Sequence, residues 1–341
     1  MAAVTRAWEP RTASERAVQL ALIPASLAYG AAVAIRNRLY DAGWLEQARV
    51  DARVLSVGNL TVGGTGKTPA ALWLAQALVD RGRRVAIVAR GYRKRRPGVV
   101  VVGVSGTPLV SAEEGGDEAV MLARRFAGPV LTGERRADAA AEACARFAVD
   151  TVVLDDGFQH RALARDADLV LLANDEASRR LLPAGSRREL LGALTRARAL
   201  LAVGDGVARS SPAPGLPPQF HGRLVSTALV DRTWREVPLD ALGGARVVAV
   251  SGVARPERFV ATLERCGARV VERLVFPDHH DYSPADVARI VSAGHTGELV
   301  STEKDLVKLA GRSGLEHLRG LRVTLQVDDG DRLVDLLEAA T

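Results

Sequence analysis

Short apolar runs alternate along this chain with stretches in which apolar residues recur every three or four positions. The first pattern predicts buried strands and the second amphipathic helices. Strands are expected at 54–57, 84–89, 99–104, 130–131, 151–154, 169–172 and 199–203, and helices at 69–78, 117–126 and 137–147. Strand–helix alternation with nearly continuous apolar strands predicts a mostly parallel sheet covered by helices. The 99–104 strand is expected in a hairpin or at a sheet edge. Proline and serine crowd 210–218 and mark a boundary. Beyond it, alternating strands at 223–229 and 233–237 around Asp231 read as a hairpin. A second α/β series follows: strands at 246–250, 268–275, 299–301 and 323–327, helices at 256–266 and 284–293.

The stretch 17–35 has no charged residue and is mostly apolar. Val18, Leu20, Leu22, Ile23, Leu27, Val33 and Ile35 together contribute roughly −3 kcal/mol on a membrane-insertion scale. Gln19, Pro24, Ser26 and Gly30 oppose insertion, so a full span is marginal. The alternatives are a helix lying on a membrane surface and an ordinary core helix. Arg16, Arg36, Arg38 and Arg49 flank the stretch, and Tyr29, Tyr40 and Trp44 suit a headgroup region. Residues 1–16 are polar and lack the pattern of a cleaved signal.

At 341 residues, and about 150 per domain, the chain has room for roughly two domains. A hydrophobic fraction of 48% with 25% charged residues excludes a disordered chain. Two cysteines, Cys144 and Cys266, exclude a disulfide framework and a cysteine-based zinc site. Both fall in helical stretches and are expected to be buried, which suits a reducing compartment. The net charge of +6 permits anionic partners. Aromatics are only 4%, with no basic stripe between them, so nucleic acid is not an expected partner. Lys67, Lys94, Lys304 and Lys308 are the only lysines; every other cationic side chain is arginine apart from histidine. A planar guanidinium does not replace a compact ammonium everywhere, so these four positions draw attention.

Lys67 lies in the most informative segment. The 54–57 strand runs into Gly58-Asn59-Leu60-Thr61-Val62-Gly63-Gly64-Thr65-Gly66-Lys67-Thr68, and a helix begins near Pro69. A strand, a glycine-rich loop, Lys-Thr and a helix start form a cradle for nucleotide phosphates. The expected ligands are Val62, Gly63, Gly64, Thr65, Gly66, Lys67, Thr68 and Pro69, with Thr68 on magnesium. Thr61 stands where the strict pattern has its first glycine. The 151–154 strand ends in Asp155-Asp156, the acidic strand end that organises magnesium beside such a loop; the same residues also suit a turn. The expected fold class is therefore α/β, a P-loop NTPase-like parallel sheet domain with a smaller α/β domain joined by a β-hairpin linker. Its parts are a membrane-associating helical segment (1–50), the nucleotide-binding domain (51–218), the hairpin (219–240) and the C-terminal domain (241–341).

Several further motifs occur in order. They are Arg90-Gly91-Tyr92, Gly116-Asp117-Glu118, Asp155-Asp156-Gly157-Phe158-Gln159-His160, Leu182-Pro183-Ala184-Gly185 with Arg188-Glu189, and Ala254-Arg255-Pro256-Glu257-Arg258-Phe259. Phe276-Pro277-Asp278-His279 and Thr302-Glu303-Lys304-Asp305 complete the set. With the glycine-rich loop, these make the chain resemble the tetraacyldisaccharide 4′-kinase family over nearly its whole length. The resemblance implies transfer of phosphate from ATP, with Mg2+, to the 4′-hydroxyl of a tetraacylated glucosamine disaccharide 1-phosphate, giving lipid IVA. It implies a peripheral enzyme on the cytoplasmic face of the inner membrane, drawing a lipid disaccharide from an anionic bilayer, and we expect it to act as a monomer. Ser186-Arg187 and Leu190 depart from the family pattern around Arg188-Glu189.

The resemblance also implies roles. Asp117 is the expected base, paired across two lobes with His279, and Lys67 serves catalysis as well as binding. Asp117 alone suits a helix N-cap equally well, and Asp278-His279-His280-Asp281 suits helix capping or a metal site. Asn59, Arg90, Arg188 and Glu189 are candidate substrate residues, with surface salt bridges as the alternative for the arginines. Lys304 either lines the nucleotide or hinge region or neutralises Asp305 on a helix face. A P-loop GTPase or ATPase switch is the competing class. It requires a guanine-reading Asn-Lys-x-Asp segment, of which Thr302-Glu303-Lys304-Asp305 is a partial echo.

Overall fold

A computed structural model describes residues 8, 10, 12–173, 180–204 and 215–339. Part of the expected 210–218 boundary lies outside the described residues. The chain opens with α1 (Ala13–Ala21) and α2 (Ile23–Asp41), bent by 42° where they meet. Leu22 caps both, and Pro24 sits in the first turn of α2, where no backbone N–H is needed. The single helix expected over 17–35 is thus broken. Among the described residues no single helix is long and apolar enough to cross a membrane.

The described residues form two compact units with boundaries other than those expected. The first unit comprises those within Met1–Val88, Arg136–Arg223 and Val327–Thr341. Its strands are β1 (Arg53–Asn59), β2 (Val85–Ala89), and, after the excursion described below, β6 (Thr151–Asp155), β7 (Ala167–Ala173), β8 (Ala199–Val203) and the start of β9 (Gln219–Val230). They pair in parallel in the order β9-β8-β7-β1-β6-β2. Helix α3 (Lys67–Asp80) follows β1 and buries Ala70, Ala71, Leu74, Ala75 and Leu78. These small and branched apolar residues let the helix lie close over the sheet.

The second unit comprises Ala89–Arg135 and Leu224–Gln326. Its first part holds β3 (Val100–Val104) and β4 (Thr107–Pro108) as the expected hairpin, then α4 (Ala112–Gly115), α5 (Asp117–Arg125) and β5 (Val130–Thr132), which pairs antiparallel with β3. Arg136 returns the chain to the first unit at α6 (Arg136–Phe147). The second part holds β10 (Glu236–Val237), β11 (Arg246–Ser251), α7 (Pro256–Arg265), β12 (Arg269–Val275), α8 (Pro284–Ala293), β13 (Glu298–Thr302), α9 (Glu303–Leu309) and β14 (Arg319–Val327). Strands β12, β11, β13 and β14 run parallel, and β10 closes a hairpin on β9.

The altered boundaries have a packing cause. Helix α5 lies against α9, where buried Glu303 accepts from Arg125 of α5 (3.0 Å) and Arg322 of β14 (2.8 Å). Residues 89–135 therefore join the later α/β series. At the far end, α10 (Gly330–Glu338) returns to the first unit, where Arg81 pairs with Asp335 and Glu338. The strand expected over 233–237 shortens to Glu236–Val237, because Asp231 Oδ1 gathers the amides of Thr233 and Arg235 into a turn. Cys144 and Cys266 are half-buried, short of the full burial expected.

Phe158 anchors the first unit's core. It is fully buried beneath the Arg196 guanidinium, 4.6 Å from the ring centroid, and Gly58 lies so close that a Cβ there would fall 2.4 Å from that of Phe158. Phe158→Ala is expected to cost about 3–5 kcal/mol in urea unfolding, and a loss under about 1 kcal/mol would remove Phe158 from this role.

Candidate active site

The glycine-rich loop joins β1 to α3. Gly66 caps α3 with φ 86°, a left-handed conformation that a side chain would strain. The following residues, Lys67 and Thr68, open the helix, so the free amides and positive dipole end face the same place as the ammonium. Pro69 sits in the first turn. Asn59, fully buried, braces the loop: its Nδ2 donates to Thr65 Oγ1 (2.8 Å) and its Oδ1 accepts from Arg188 (2.7 Å). Val62 is tied by its amide to the Ser186 carbonyl (2.8 Å), and Thr65 N donates to Gly63 O (3.1 Å).

The acidic strand end lies beside this loop because β6 is the parallel neighbour of β1. Thr68 Oγ1 donates to Asp155 Oδ2 (3.0 Å), and Lys67 Nζ stands 3.8 Å from Asp156 Oδ1. Asp156 adopts φ 54°, as the turn alternative for Asp155-Asp156 expects. Arg188 grips Asp156 with both arms, Nη1 to Oδ2 and Nη2 to Oδ1, each at 3.0 Å. Burial opposes the charge on Asp156, but Lys67 and Arg188 outweigh it and hold the carboxyl below its ordinary range. The hydroxyl and carboxylates are hard oxygen donors, the kind that hold magnesium together with phosphate oxygens and water. Among the described residues no cluster of three histidine, cysteine or acidic side chains offers an all-protein metal cage.

A second cluster lies within the second unit. Asp117 is the first residue of α5; Gly116, not Asp117, is the N-cap. The buried Asp117 carboxylate meets His279 Nδ1 at 2.9 and 3.1 Å, accepts from Lys308 Nζ at 3.2 Å, and takes the Glu118 amide at 2.9 Å. Both members of the pair belong to one unit, so the pairing across two lobes expected from the sequence is corrected. Lys304 Nζ lies 3.1 Å from His279 Nε2 and 2.8 Å from Asp278. That donor leaves Nε2 as the acceptor, so the ring proton resides on Nδ1 and is donated to Asp117. Burial pushes the Asp117 carboxyl toward neutrality, yet His279, Lys304 and Lys308 prevail and hold it far below the usual carboxylate range.

The adjacent histidines diverge: His280 pairs with Asp286 (3.0 Å) while His279 turns to Asp117, which rules against a shared metal. Capping fails too, since Ser283 caps α8. Lys304 does not neutralise Asp305, whose carboxylate is fully buried and accepts from Gly252 N, Tyr282 Oη and Thr302 Oγ1. A carboxylate so engaged is not available to read guanine. Arg90 is exposed in the second unit, whereas buried Glu189 is held by Arg196 and Asn37 in the first. Lys308 beside Asp117 was not anticipated, and its only signal was the scarcity of lysine.

A parallel sheet with Lys-Thr at a helix start and carboxylates on the adjacent strand end defines the P-loop class of nucleotide-binding proteins. The comparisons narrow the class. The family model for LpxK, tetraacyldisaccharide-1-P 4′-kinase, matches residues 18–341. Proteins named tetraacyldisaccharide 4′-kinase from Anaeromyxobacter dehalogenans (strain 2CP-C) and Koribacter versatilis are 44% and 38% identical, covering 94% and 92% of this chain and 89% and 96% of theirs. The crystal structure of LpxK from Aquifex aeolicus in complex with ATP has a TM-score of 0.81 and 35% identity, covering 94% of this chain and 98% of that one. The chain belongs to the tetraacyldisaccharide 4′-kinase family.

The Asp117 environment sets a pH dependence. A carboxyl whose folded pKa lies below its unfolded value, near 3.8, adds stability above that value and loses it as pH falls toward the folded one. Asp117→Asn is therefore expected to be less stable than wild type at pH 7, with the gap narrowing below about pH 4. Urea unfolding at both pH values measures this; a gap independent of pH would contradict it.

Proposed function

We propose that this protein transfers the γ-phosphate of ATP to the 4′-hydroxyl of a tetraacylated glucosamine disaccharide 1-phosphate, forming lipid IVA. The observation that carries the reading is the pairing of Lys67 and Thr68 at the start of α3 with Asp156 and Asp155 at the end of β6. Family membership supplies the acceptor. Lys67, with the amides of Gly63, Gly64, Gly66, Lys67 and Thr68, holds the β and γ phosphates. Thr68 and Asp155, with Asp156, are the residues that would hold Mg2+, which when bound neutralises phosphate charge. Asp117 takes the proton of the acceptor hydroxyl as the hydroxyl oxygen bonds to the γ-phosphorus and the bond to the β–γ bridging oxygen breaks, releasing ADP. A carboxylate kept ionised is always ready to accept, and its low basicity suits a loose transition state in which the proton leaves late. His279 orients it. Arg90, Arg188 and Glu189 were candidates for substrate contact; the engagement of Arg188 with Asp156 favours bracing the site instead.

We also place the protein on the cytoplasmic face of the inner membrane. Leu27 and Ile35 on α2 are 69% and 56% exposed, Trp44 is 80% exposed, and arginines flank them. Apolar side chains beside cations suit an anionic bilayer surface.

With labelled ATP and the disaccharide lipid in detergent, label is expected on the lipid; release only as free phosphate would favour a nucleotide switch. Lys67→Ala and Asp156→Ala are expected to lose about 100-fold or more of the turnover, and wild-type rates in either would remove the phosphate-site assignment. Asp117→Ala should lower turnover with little loss of ATP affinity; a large affinity loss instead would make Asp117 a ligand of the metal. Leu27→Glu with Ile35→Glu should reduce pelleting with phosphatidylglycerol vesicles, and undiminished pelleting would put the membrane contact elsewhere.

A further inference from the structure

Helix α2 has two faces. Leu27 and Ile35 look outward, whereas Ser26, Tyr29, Gly30 and Asn37, spaced at helical intervals, look inward. The inward face meets the 181–189 segment. Ser26 Oγ donates to Leu181 O (2.7 Å), Tyr29 Oη to Arg188 O (3.0 Å) and Asn37 Nδ2 to Glu189 Oε2 (2.6 Å). Gly30 is packed so tightly that a Cβ would come within 2.6 Å of Leu181 Cδ1.

Arg188 and Glu189 are consecutive but reach to different places. Arg188 extends to Asp156, Asn59 and the Thr61 carbonyl, all at the phosphate loop. Glu189, 1% exposed, is fixed between the Arg196 guanidinium and Asn37. The Arg188 amide is tied to Leu60 O at 2.7 Å, so the backbone from which both side chains spring has little freedom. Every contact in this chain of links lies in the first unit.

We propose that Tyr29 and Asn37 are positioning residues that tie the N-terminal helix pair to the phosphate site, acting through Arg188 and Glu189 on Asp156. This rests on the nucleotide reading given above. Arg188 holds both Asp156 oxygens while Asp156 Oδ1 stands 3.8 Å from Lys67 Nζ, so its grip fixes how far the carboxylate stays from the ammonium. When Tyr29 and Asn37 let the 188–189 backbone shift, Asp156 turns toward Lys67 and competes with the nucleotide.

The test uses the full chain, a non-hydrolysable ATP analogue with magnesium in a titration calorimeter, and steady-state kinetics. Asn37→Ala is expected to weaken analogue binding and raise the KM for ATP about tenfold, and Tyr29→Phe about threefold, the sizes of one charge-assisted and one neutral hydrogen bond. Pelleting with phosphatidylglycerol–phosphatidylethanolamine vesicles should stay as in wild type. In an Arg188→Ala background Asn37→Ala should weaken binding by less than about twofold further, because the route is already cut. Equal losses in both backgrounds, or wild-type affinity in both single variants, would overturn the link. Tyr29→Phe removes one hydroxyl and keeps the ring, so it carries the test if Asn37→Ala fails to fold. Lys67→Ala separates the two ideas: wild-type analogue binding in that variant overturns the nucleotide reading itself.

Discussion

An ammonium and two carboxylates stand within reach of one another at the phosphate loop, and the rest of the site is arranged around the 3.8 Å between Lys67 and Asp156. On the function proposed above, Lys67 has to remain able to meet phosphate, and Asp155 and Asp156 a divalent cation. On that reading, a closer approach of Asp156 to Lys67 than the 3.8 Å found would compete with the nucleotide. Two groups prevent that. Arg188 takes both oxygens of Asp156 in a fork, and the Thr68 hydroxyl takes Asp155. A planar guanidinium is suited to that bidentate hold, whereas a compact ammonium is suited to a rounded phosphate.

The fold meets this requirement by placing β6 beside β1 in parallel, so that both strands end at the same edge. A crossover connection is needed between parallel neighbours, and here it includes the whole 89–135 excursion as well as α6. The excursion returns Asp117 to a different compact unit, where His279, Lys304 and Lys308 surround it. Lys67 and Asp117, proposed to hold phosphate and to accept the proton, thus derive from one connection between two adjacent strands, although they fold into separate units.

The strands and the phosphate cradle were legible because both depend on local sequence. Apolar runs mark buried parallel strands, and a glycine loop with Lys-Thr needs only the next helix to define its geometry. The expected ends of β8 at Ala199 and Val203, and of α8 at Pro284 and Ala293, agree with those found. What escaped is long-range. Helix α9 entered the sequence reading only as an alternative at Lys304, without bounds; Leu306 and Leu309, which bury it in the core, meet distant residues that spacing does not reveal. The joining of 89–135 to the later residues depends on Arg125 reaching Glu303, which no spacing rule encodes. Asn59 looked like a substrate residue, yet its amide is consumed by Thr65 and Arg188. The break at Leu22 was signalled by Pro24 but hidden by the unbroken apolar run.

The use of lysine sharpens the point. In a chain that favours arginine, each of the four lysines has a place that a guanidinium does not fill. Lys67 faces the phosphate loop with Asp156 nearby. The Lys94 side chain is almost wholly buried and closes the loop after β2 by meeting Gly98 O and Glu134. Lys304 and Lys308 approach the Asp117–His279 pair from one helix, four residues apart, and so share a face of α9. A compact charge at the end of an unbranched chain approaches a buried carboxylate without stacking on it or taking both its oxygens. An arginine in place of Lys308 could claim Asp117 in a fork, as Arg188 claims Asp156, and on the proposed mechanism that would take the oxygens meant for the acceptor hydroxyl. Arginine therefore occupies the position that grips both oxygens of Asp156, whereas Lys308 meets Asp117 through one oxygen.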